Sequence, residues 1–199
     1  MEVVIRPWRG GDAARLLELY RATPDLARQL PALEDLAHAE DFVADSAVVS
    51  QARAVWCLEY GGAACGLVGV SYEGAGAGGG FDRGWVWYWS AGELRGKGLL
   101  KLAVRAVCDW ALGLPEAGNR AARQQGGGEA ASSIDADQLR AAKSPHLRRL
   151  ELGYRVNNPA SAAVAAHAGF VVEGVEREKF LIDGVAIDAV VAGRLASDA

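Results

Sequence analysis

The chain has 199 residues, of which 51% are hydrophobic and 23% are charged, and its formal net charge is −4. This length is typical of one domain with a single core, and the composition is that of a globular protein. The negative charge excludes a bulk basic field for nucleic acid, and no apolar run approaches the roughly 18–20 residues of a membrane span. We expect a single domain over residues 1–199 that binds neither nucleic acid nor membrane.

The three cysteines, Cys57, Cys65 and Cys108, lie far apart among apolar neighbours. An odd number at these spacings predicts neither a disulfide framework nor a metal site, because free cysteine in a reducing compartment is usually buried and inert. The first residues also lack the basic and apolar regions of a signal peptide. We therefore expect a cytoplasmic protein with free, buried thiols and no metal.

The first half of the chain predicts one strand, two helices and three further strands. These are a strand at 3–7, a helix from Ala13 capped by Asp12, a helix within 33–50, strands at 54–60 and 63–72 joined by Gly61-Gly62, and a strand at 85–89. In the last strand Trp85, Trp87 and Trp89 share one face. We interpret them as core packing rather than a base-stacking platform, because nothing nearby is basic enough to hold nucleic acid.

The second half predicts a helix, an insertion and a second group of strands. These are a helix at 99–112, an insertion or mobile loop at 114–145 with a short helix within 134–143, a strand at 147–156, a helix that Asn158 caps and Gly169 ends, and strands at 170–181 and 185–195 joined by Asp183-Gly184. The order of elements predicts a mixed sheet with helices on its faces rather than a regular βαβ repeat.

The stretch between the tryptophan strand and the following helix, residues 93–100, reads Glu-Leu-Arg-Gly-Lys-Gly-Leu-Leu. The first N–H groups of a helix have no partner within the helix, and the helix dipole places partial positive charge there. Gly96 and Gly98 let the backbone approach a phosphate without a Cβ in the way. Lys97 and Lys101 lie near the helix start, where they could reach phosphates. This pattern predicts an anion site built from main-chain amides.

A second group of motifs follows at fitting distance. It comprises Leu150-Glu151-Leu152, then Asn158-Pro159-Ala160-Ser161, then Gly169-Phe170. With Arg95-Gly96-Lys97-Gly98-Leu99-Leu100, these residues resemble the GCN5-related N-acetyltransferases (GNAT), whose cofactor loop follows [Arg/Gln]-x-x-Gly-x-[Gly/Ala]; Leu100 departs from the small residue usual there. The chain is most similar to the RimJ/RimL-type ribosomal-protein N-terminal acetyltransferases, over about 3–195 apart from the insertion.

The resemblance implies an α/β GNAT fold. Such a fold has a central, mostly antiparallel, twisted sheet of about seven strands, splayed between strands 4 and 5 and flanked by about four helices. It implies acetyl-CoA as cofactor, with its diphosphate on the amides of Arg95 to Leu100. The pantetheine arm would pair with main chain at Trp89, Ser90 and Ala91. The implied reaction is direct transfer of the acetyl group to a primary amine, without an acyl-enzyme.

The resemblance also implies roles for three polar residues. Ser161 would protonate the leaving thiolate, and Asn158 would orient the pantetheine or a water; a serine in this position can equally bond back to its own helix. Glu151 would be the general base, with a pKa raised by burial beside the cofactor. It can equally be a solvent-facing or ion-paired strand residue. Tyr88 and Tyr154 would line the acceptor pocket or pack in the core.

Several readings of the function stay open. The acceptor is a protein N-terminus, such as that of a ribosomal protein, or a small amine, and the net negative charge mildly favours a cationic one. A non-enzymatic member of the same fold would be a coenzyme A-binding sensor or assembly module. A Rossmann nucleotide-binding protein is a weaker alternative, because the glycine loop follows the fourth predicted strand and lacks Gly-x-Gly-x-x-Gly. A homodimer through the final strands is plausible.

Overall fold

The sheet of this protein contains eight strands in the order β5-β1-β2-β3-β4-β6-β8-β7. A computed structural model describes residues 2–24, 26–47, 50, 52–74, 82–114 and 133–198. The strands are β1 (Glu2–Pro7), β2 (Arg53–Tyr60), β3 (Ala63–Glu73), β4 (Arg83–Ser90), β5 (Ser133–Asp135), β6 (Arg149–Arg155), β7 (Val171–Ile182) and β8 (Val185–Leu195). All neighbouring pairs are antiparallel except β1 with β5 and β4 with β6, so the predicted mixed, mostly antiparallel sheet is confirmed.

Helices cover both faces of the sheet. They are α1 (Ala13–Ala22), α2 (Leu36–Ser46), α3 (Leu99–Ala111), α4 (Asp137–Ala141) and α5 (Pro159–His167). Trp56 of β2 contacts Trp110 of α3 edge to face, and Arg105 of α3 donates to the carbonyl oxygen of His167 in α5. We call this side the α3–α5 face. Among the described residues, no helix is long and apolar enough to cross a bilayer.

The opposite side, the α1–α2 face, holds a buried charge cluster. Arg6 alternates with the apolar residues of β1 that face α3, and its guanidinium binds Asp12 at 2.7 Å and Glu59 at 2.6 Å. The Asp12 carboxylate also accepts the Arg9 N–H. Asp12 therefore precedes α1 as predicted, but the prediction that its side chain caps α1 is wrong, because Arg6 and Arg9 occupy the carboxylate.

The two predicted hairpin turns are confirmed by their backbone angles. Gly61 and Gly62 have φ values of +63° and +83°, and Asp183 and Gly184 have φ values of +51° and +78°. Two consecutive left-handed residues are the geometry of a type I′ turn, which matches the twist of the strands it joins. The dipeptides Gly-Gly and Asp-Gly therefore set the registers of β2–β3 and β7–β8.

The strand β5 was not predicted. Its three residues, expected within the insertion and the start of the short helix, pair in parallel with Glu2–Val4 of β1, and Ile134 is buried. The helix begins later, at Asp137, because Asp135 accepts the Asp137 N–H just before it. Residues 133–145 thus form a strand and a helix. Residues 115–132 of the predicted insertion lie outside the described residues.

The strands β4 and β6 part after a short paired stretch. They are hydrogen bonded only where residues 83–85 lie beside residues 149–151, and the rest of β4 and β6 has no ladder between them. The predicted splay is confirmed. Each strand pairs normally with its other neighbour, β3 or β8. The sheet therefore contains a gap that opens toward the carboxyl ends of both strands.

Candidate active site

A cleft of about 470 Å³ occupies the gap between β4 and β6. One wall comes from the end of β4 and the following loop, and its main residues are Tyr88, Trp89, Ser90, Arg95, Gly96, Gly98, Leu100 and Lys101. The other wall comes from the end of β6 and the start of α5, with Arg155, Asn157, Asn158, Ala160, Ser161, Ala163 and Val164. The two walls thus bring together two motifs that lie about sixty residues apart in sequence.

The cleft reaches both faces of the sheet. Tyr88 and Ser161 line it from the α3–α5 face, where the Tyr88 hydroxyl donates to the Ser161 carbonyl oxygen at 3.3 Å. Trp89 alternates with Tyr88 along β4, and Gln29 lies in the connection between α1 and α2, so both line it from the α1–α2 face. A ligand bound from one face can therefore meet a second ligand that enters from the other.

The glycine loop has the geometry of an anion site. Gly96 and Gly98 both adopt left-handed backbone, with φ values of +76° and +69°, and Gly98 is the residue from which α3 begins. A Cβ at Gly96 would meet nothing within 4 Å, and one at Gly98 would meet only the flexible end of Lys101, so glycine is required for conformation rather than space. The first amides of α3 then face the cleft without helical partners.

Three of the predicted cofactor residues contribute no side chain to the cleft. Lys97 turns away, since its ammonium donates to the Tyr60 hydroxyl at 3.2 Å and lies 4.6 Å from the centroid of that ring. Leu99 is buried in the core. Ala91 is also buried, and its N–H donates to the Cys65 carbonyl oxygen on β3 at 2.7 Å. The amides of Lys97 and Leu99 remain part of the loop, but the Ala91 N–H is already used.

The main chain of β4 is divided between its two sides. Along a strand, the N–H and C=O groups of successive residues point to opposite sides. The Ala91 N–H points toward β3, so the N–H groups of Ser90 and Tyr88 point toward the gap. The Ser90 carbonyl oxygen accepts from Arg95 Nε at 3.2 Å, which holds the loop against the strand end. Ser90 therefore offers its N–H to an added extended chain, while Trp89 contributes its indole to the wall.

The start of α5 is arranged as the sequence predicts. Asn158 Oδ1 accepts the Ser161 N–H at 3.1 Å, so the predicted cap is confirmed, and its amide NH₂ supplies two further donors at the cleft wall. Ser161 is half-buried on the cleft wall, and its side chain interacts with the Tyr88 phenol. Burial raises the pKa of Tyr88 to about 12, so its hydroxyl stays protonated at neutral pH and donates the hydrogen bond to the Ser161 carbonyl.

Glu151 lies away from the cleft lining. Arg149 Nε donates to its carboxylate at 2.6 Å, and the same guanidinium binds Glu173. Leu150 and Leu152 are buried on the α3–α5 face, and Glu151 alternates with them onto the α1–α2 face beside Trp85. This placement favours the ion-paired interpretation of Glu151 over that of a catalytic base. Tyr154 is half-buried and packs against the core.

Arg155, Asn157 and Gln29 line the cleft but were not predicted. Arg155 follows Glu151 and Gly153 at a spacing of two, so strand alternation alone places it on the α1–α2 face. Asn157 directly precedes the predicted cap residue. Gln29 carries no such signal, because it comes from a connection whose path depends on tertiary packing.

The predicted state of the cysteines is confirmed. Cys57, Cys65 and Cys108 are free and buried. Burial raises the pKa of Cys57 and of Cys108 to about 12, so both thiols stay protonated at neutral pH. None of the three lines the cleft.

Comparison with known proteins identifies the same fold and family. Residues 2–171 match the family model described as the acetyltransferase (GNAT) domain. No curated protein sequence matches the chain. Solved structures under 25% identical nevertheless share its fold over nearly the whole length. One is a SpeG spermidine N-acetyltransferase chimera from Vibrio cholerae and hSSAT, with 17% identity over 99% of this chain and 97% of that chain and a TM-score of 0.69.

Two further neighbours belong to the RimJ/RimL type that the motifs suggest. RimL, an alpha-N-protein acetyltransferase of a ribosomal protein solved with coenzyme A, has 16% identity over 96% of this chain and 92% of that chain, with a TM-score of 0.68. Mycobacterium smegmatis RimJ, solved with a CoA-disulfide, has 20% identity over 98% and 82% of the two chains, with a TM-score of 0.65. The chain belongs to the GNAT family of acetyltransferases, and as a member of it is an N-acetyltransferase that uses acetyl-CoA.

Proposed function

We propose that this protein transfers an acetyl group from acetyl-CoA directly to a primary amine, which is either a protein N-terminus or a small amine. The observation that carries the proposal is the single cleft that joins the glycine loop to the gap in the sheet and opens on both faces. Bound acetyl-CoA would supply an activated thioester. Such a cleft allows this ligand and the amine to approach from opposite faces, and holding two reactants in place is itself a large part of catalysis.

The binding roles follow from the two walls. The amides after Gly96 and Gly98, with the side chains of Arg95 and Lys101, would hold the diphosphate, because they combine unpartnered donors with positive charge. The Ser90 N–H would pair with the pantetheine arm as an added strand does. Asn158 would donate its remaining amide hydrogens to the same arm or to a water.

Direct transfer is supported by the residues that the cleft lacks. Among its described lining residues there is no Cys, His, Asp or Glu. A serine becomes a nucleophile through an adjacent base, and Ser161 has none on the walls. Its hydroxyl is instead a proton donor, positioned by the Asn158 cap and by the hydrogen bond from Tyr88. The amine would lose its proton to water in the cleft.

The experiment has two independent parts. Calorimetry with coenzyme A tests the site, and release of free thiol from acetyl-CoA with a panel of primary amines tests the reaction. We expect binding and amine-dependent thiol release. Absence of binding would contradict the site. Binding without release for any amine would favour the alternative, a coenzyme A-binding sensor or assembly module, which the lack of a general base on the cleft walls also supports.

Two further features of the function are part of this proposal. The strand β7 forms one edge of the sheet, and its apolar residues Val171, Val175 and Leu181 are exposed. An exposed apolar edge is suited to pairing with an identical strand, so we expect a homodimer, which light scattering after gel filtration would detect as twice the chain mass. The free, buried thiols support a cytoplasmic location.

A further inference from the structure

The charged side chains on the cleft walls are all cations. They are Arg95, Lys101 and Arg155, and no carboxylate accompanies them among the described lining residues. The cleft is therefore positive in a chain whose net charge is −4. Charge in a partly closed cleft acts on a ligand more strongly than the average charge of the surface, because low-dielectric walls focus the field.

Arg155 stands apart from the other two cations. Arg95 and Lys101 belong to the glycine loop and the first turn of α3, where the diphosphate would bind. Arg155 ends β6 on the opposite wall, and alternation along that strand places it on the α1–α2 face. Its main chain is fixed, since Val156 and Asn158 on its carboxyl side donate to Asp188 and to Arg155 itself. It therefore lies on the side from which a second ligand enters.

The Arg155 guanidinium has no partner in the described part of the chain, although the residue is half-buried. Arg149, at the other end of the same strand, contacts two carboxylates. A cation withdrawn from water is costly unless an anion compensates it. Glu93, the acidic residue before the glycine loop, cannot serve, because it binds Arg15 outside the cleft. An anionic group on a ligand would supply the compensation that the described lining residues do not offer to Arg155.

Resting on the proposed function, we propose that the acceptor of this enzyme carries a carboxylate close to its primary amine, and that Arg155 binds that carboxylate. The planar guanidinium matches a carboxylate with two parallel hydrogen bonds, and Asn157 on the same wall adds neutral donors and acceptors. A polyamine such as spermidine would meet three cations and no anion in this cleft. The same charges therefore select against the cationic acceptor that the net charge of the chain favours.

Paired acceptors that differ by one carboxylate test the proposal. Leucine is compared with leucinamide, and the C-terminally amidated peptide Asp-Ala-Ala with its Asn-Ala-Ala counterpart, with spermidine as the cationic arm. We expect kcat/KM to favour the carboxylate by about ten- to a hundredfold in at least one pair, the size of a charge-assisted hydrogen bond. A preference in the first pair alone indicates a free amino acid, and in the second alone an acidic peptide N-terminus.

Variants of Arg155 assign the preference to this side chain. Arg155→Gln should abolish the preference while the KM for acetyl-CoA stays unchanged, and Arg155→Lys should restore part of it. Arg148→Gln is the matched control, because Arg148 just precedes the other end of β6, is 69% exposed and pairs with Asp82 outside the cleft. Circular dichroism confirms that each variant is folded.

A binding measurement without cofactor gives a second readout. N-acetyl-leucine should raise the melting temperature of the wild type more than N-acetyl-leucinamide does, and this difference should vanish in Arg155→Gln. Equal shifts, equal rates within both acceptor pairs, or a preference for spermidine would overturn the proposal. So would a raised KM for acetyl-CoA with the carboxylate preference intact, which would assign Arg155 to the cofactor. These outcomes leave the proposed function standing, whereas failure to bind coenzyme A removes both.

Discussion

The two ends of β6 differ in whether their arginine is paired with a carboxylate. At its start β6 is hydrogen bonded to β4, and Arg149 contacts Glu151 and Glu173. At its end β4 has separated, and Arg155 lies half-buried without a carboxylate in the described structure. The difference shows that where two strands separate, main-chain groups lose their hydrogen-bond partners and a charged side chain can lie without a counter-ion from the described chain. These unpaired hydrogen-bonding groups and charges are then available to a ligand.

In the rest of the sheet, where neighbouring strands stay paired, buried arginines also bind carboxylates of the chain, as at the start of β6. At β1 and β2 the buried Arg6 binds Asp12 and Glu59. On β8 the buried Arg194 binds Asp109 of α3. These groups hold elements of the fold together. We therefore expect substitutions in this paired part to lower stability and substitutions in the gap to lower binding or turnover, with little crossover between the two.

The largest effect is expected for Gly98→Glu. A carboxylate would face the diphosphate, and a residue with a Cβ is strained at φ +69°. Calorimetry should detect no coenzyme A binding at millimolar ligand. Gly184→Glu is the control, because Gly184 has φ +78° in an exposed turn far along the chain from the loop. It should lose similar stability and keep its affinity; unchanged affinity in Gly98→Glu would refute the loop assignment.

Asp12→Ala should have the largest effect on stability. It leaves the Arg6 guanidinium buried with Glu59 as its remaining carboxylate, and breaking a buried pair costs about 3 kcal/mol or more. Urea denaturation measures the loss as a lower midpoint at constant slope. Asp41→Ala, at an exposed position of α2, should change the free energy of unfolding by less than about 0.5 kcal/mol. Coenzyme A affinity of the folded Asp12→Ala protein should match the wild type.

Ser161→Ala should reduce kcat by about a hundredfold, the low end of the effect of losing a general acid. The KM for acetyl-CoA should change little, because the Asn158 cap uses the Ser161 N–H rather than the hydroxyl. Steady-state kinetics with acetyl-CoA and the best amine measures both constants. Ser197→Ala, at an exposed site near the C-terminus, is the control. Equal kinetics in the two variants would assign Ser161 a purely structural role.

The pH dependence of stability should carry the signature of Asp12. Burial favours the neutral carboxyl, but hydrogen bonds from Arg6 and from the Arg9 N–H outweigh it and lower the pKa of Asp12 below its ordinary 3.8. A lowered folded pKa stabilises the protein above pH 3.8, and this contribution disappears as pH falls through the folded value. Urea titrations from about pH 6 to pH 3 should therefore show the wild type and Asp12→Ala converging at the acid end. A constant difference would contradict this assignment.

The smallest effect is expected for Glu151→Gln. If Glu151 only pairs with Arg149, kcat should stay within about twofold of the wild type and the pH–rate profile should not move. Glu173→Gln removes the other carboxylate bound to Arg149 and should behave alike. A large fall in kcat in Glu151→Gln alone, with a shifted profile, would instead establish Glu151 as the base and weaken the contrast between the two ends of β6.

What the sequence predicts depends on how local the cause is. The turns at Gly61-Gly62 and Asp183-Gly184 and the Asn158 cap follow from the conformational range of one or two residues. The loop glycines were expected because a Cβ would obstruct a phosphate, whereas the structure requires them for left-handed backbone. The short β5 has no such local cause, because it exists through pairing with β1, more than a hundred residues earlier. The direction of Lys97 likewise depends on Tyr60, which the hairpin brings near. Alternation could have placed Arg155, but its lack of a partner is a property of the folded chain.

The hydrogen bond from Tyr88 to the Ser161 carbonyl spans the distance between the end of β4 and the beginning of α5. This contact links the two walls of the cleft on the α3–α5 face, and it helps to fix their separation before any ligand arrives. The protein then loses less conformational entropy when a ligand binds between the two walls. Removal of this hydroxyl, as in Tyr88→Phe, is expected to loosen the two walls and to weaken the binding of coenzyme A.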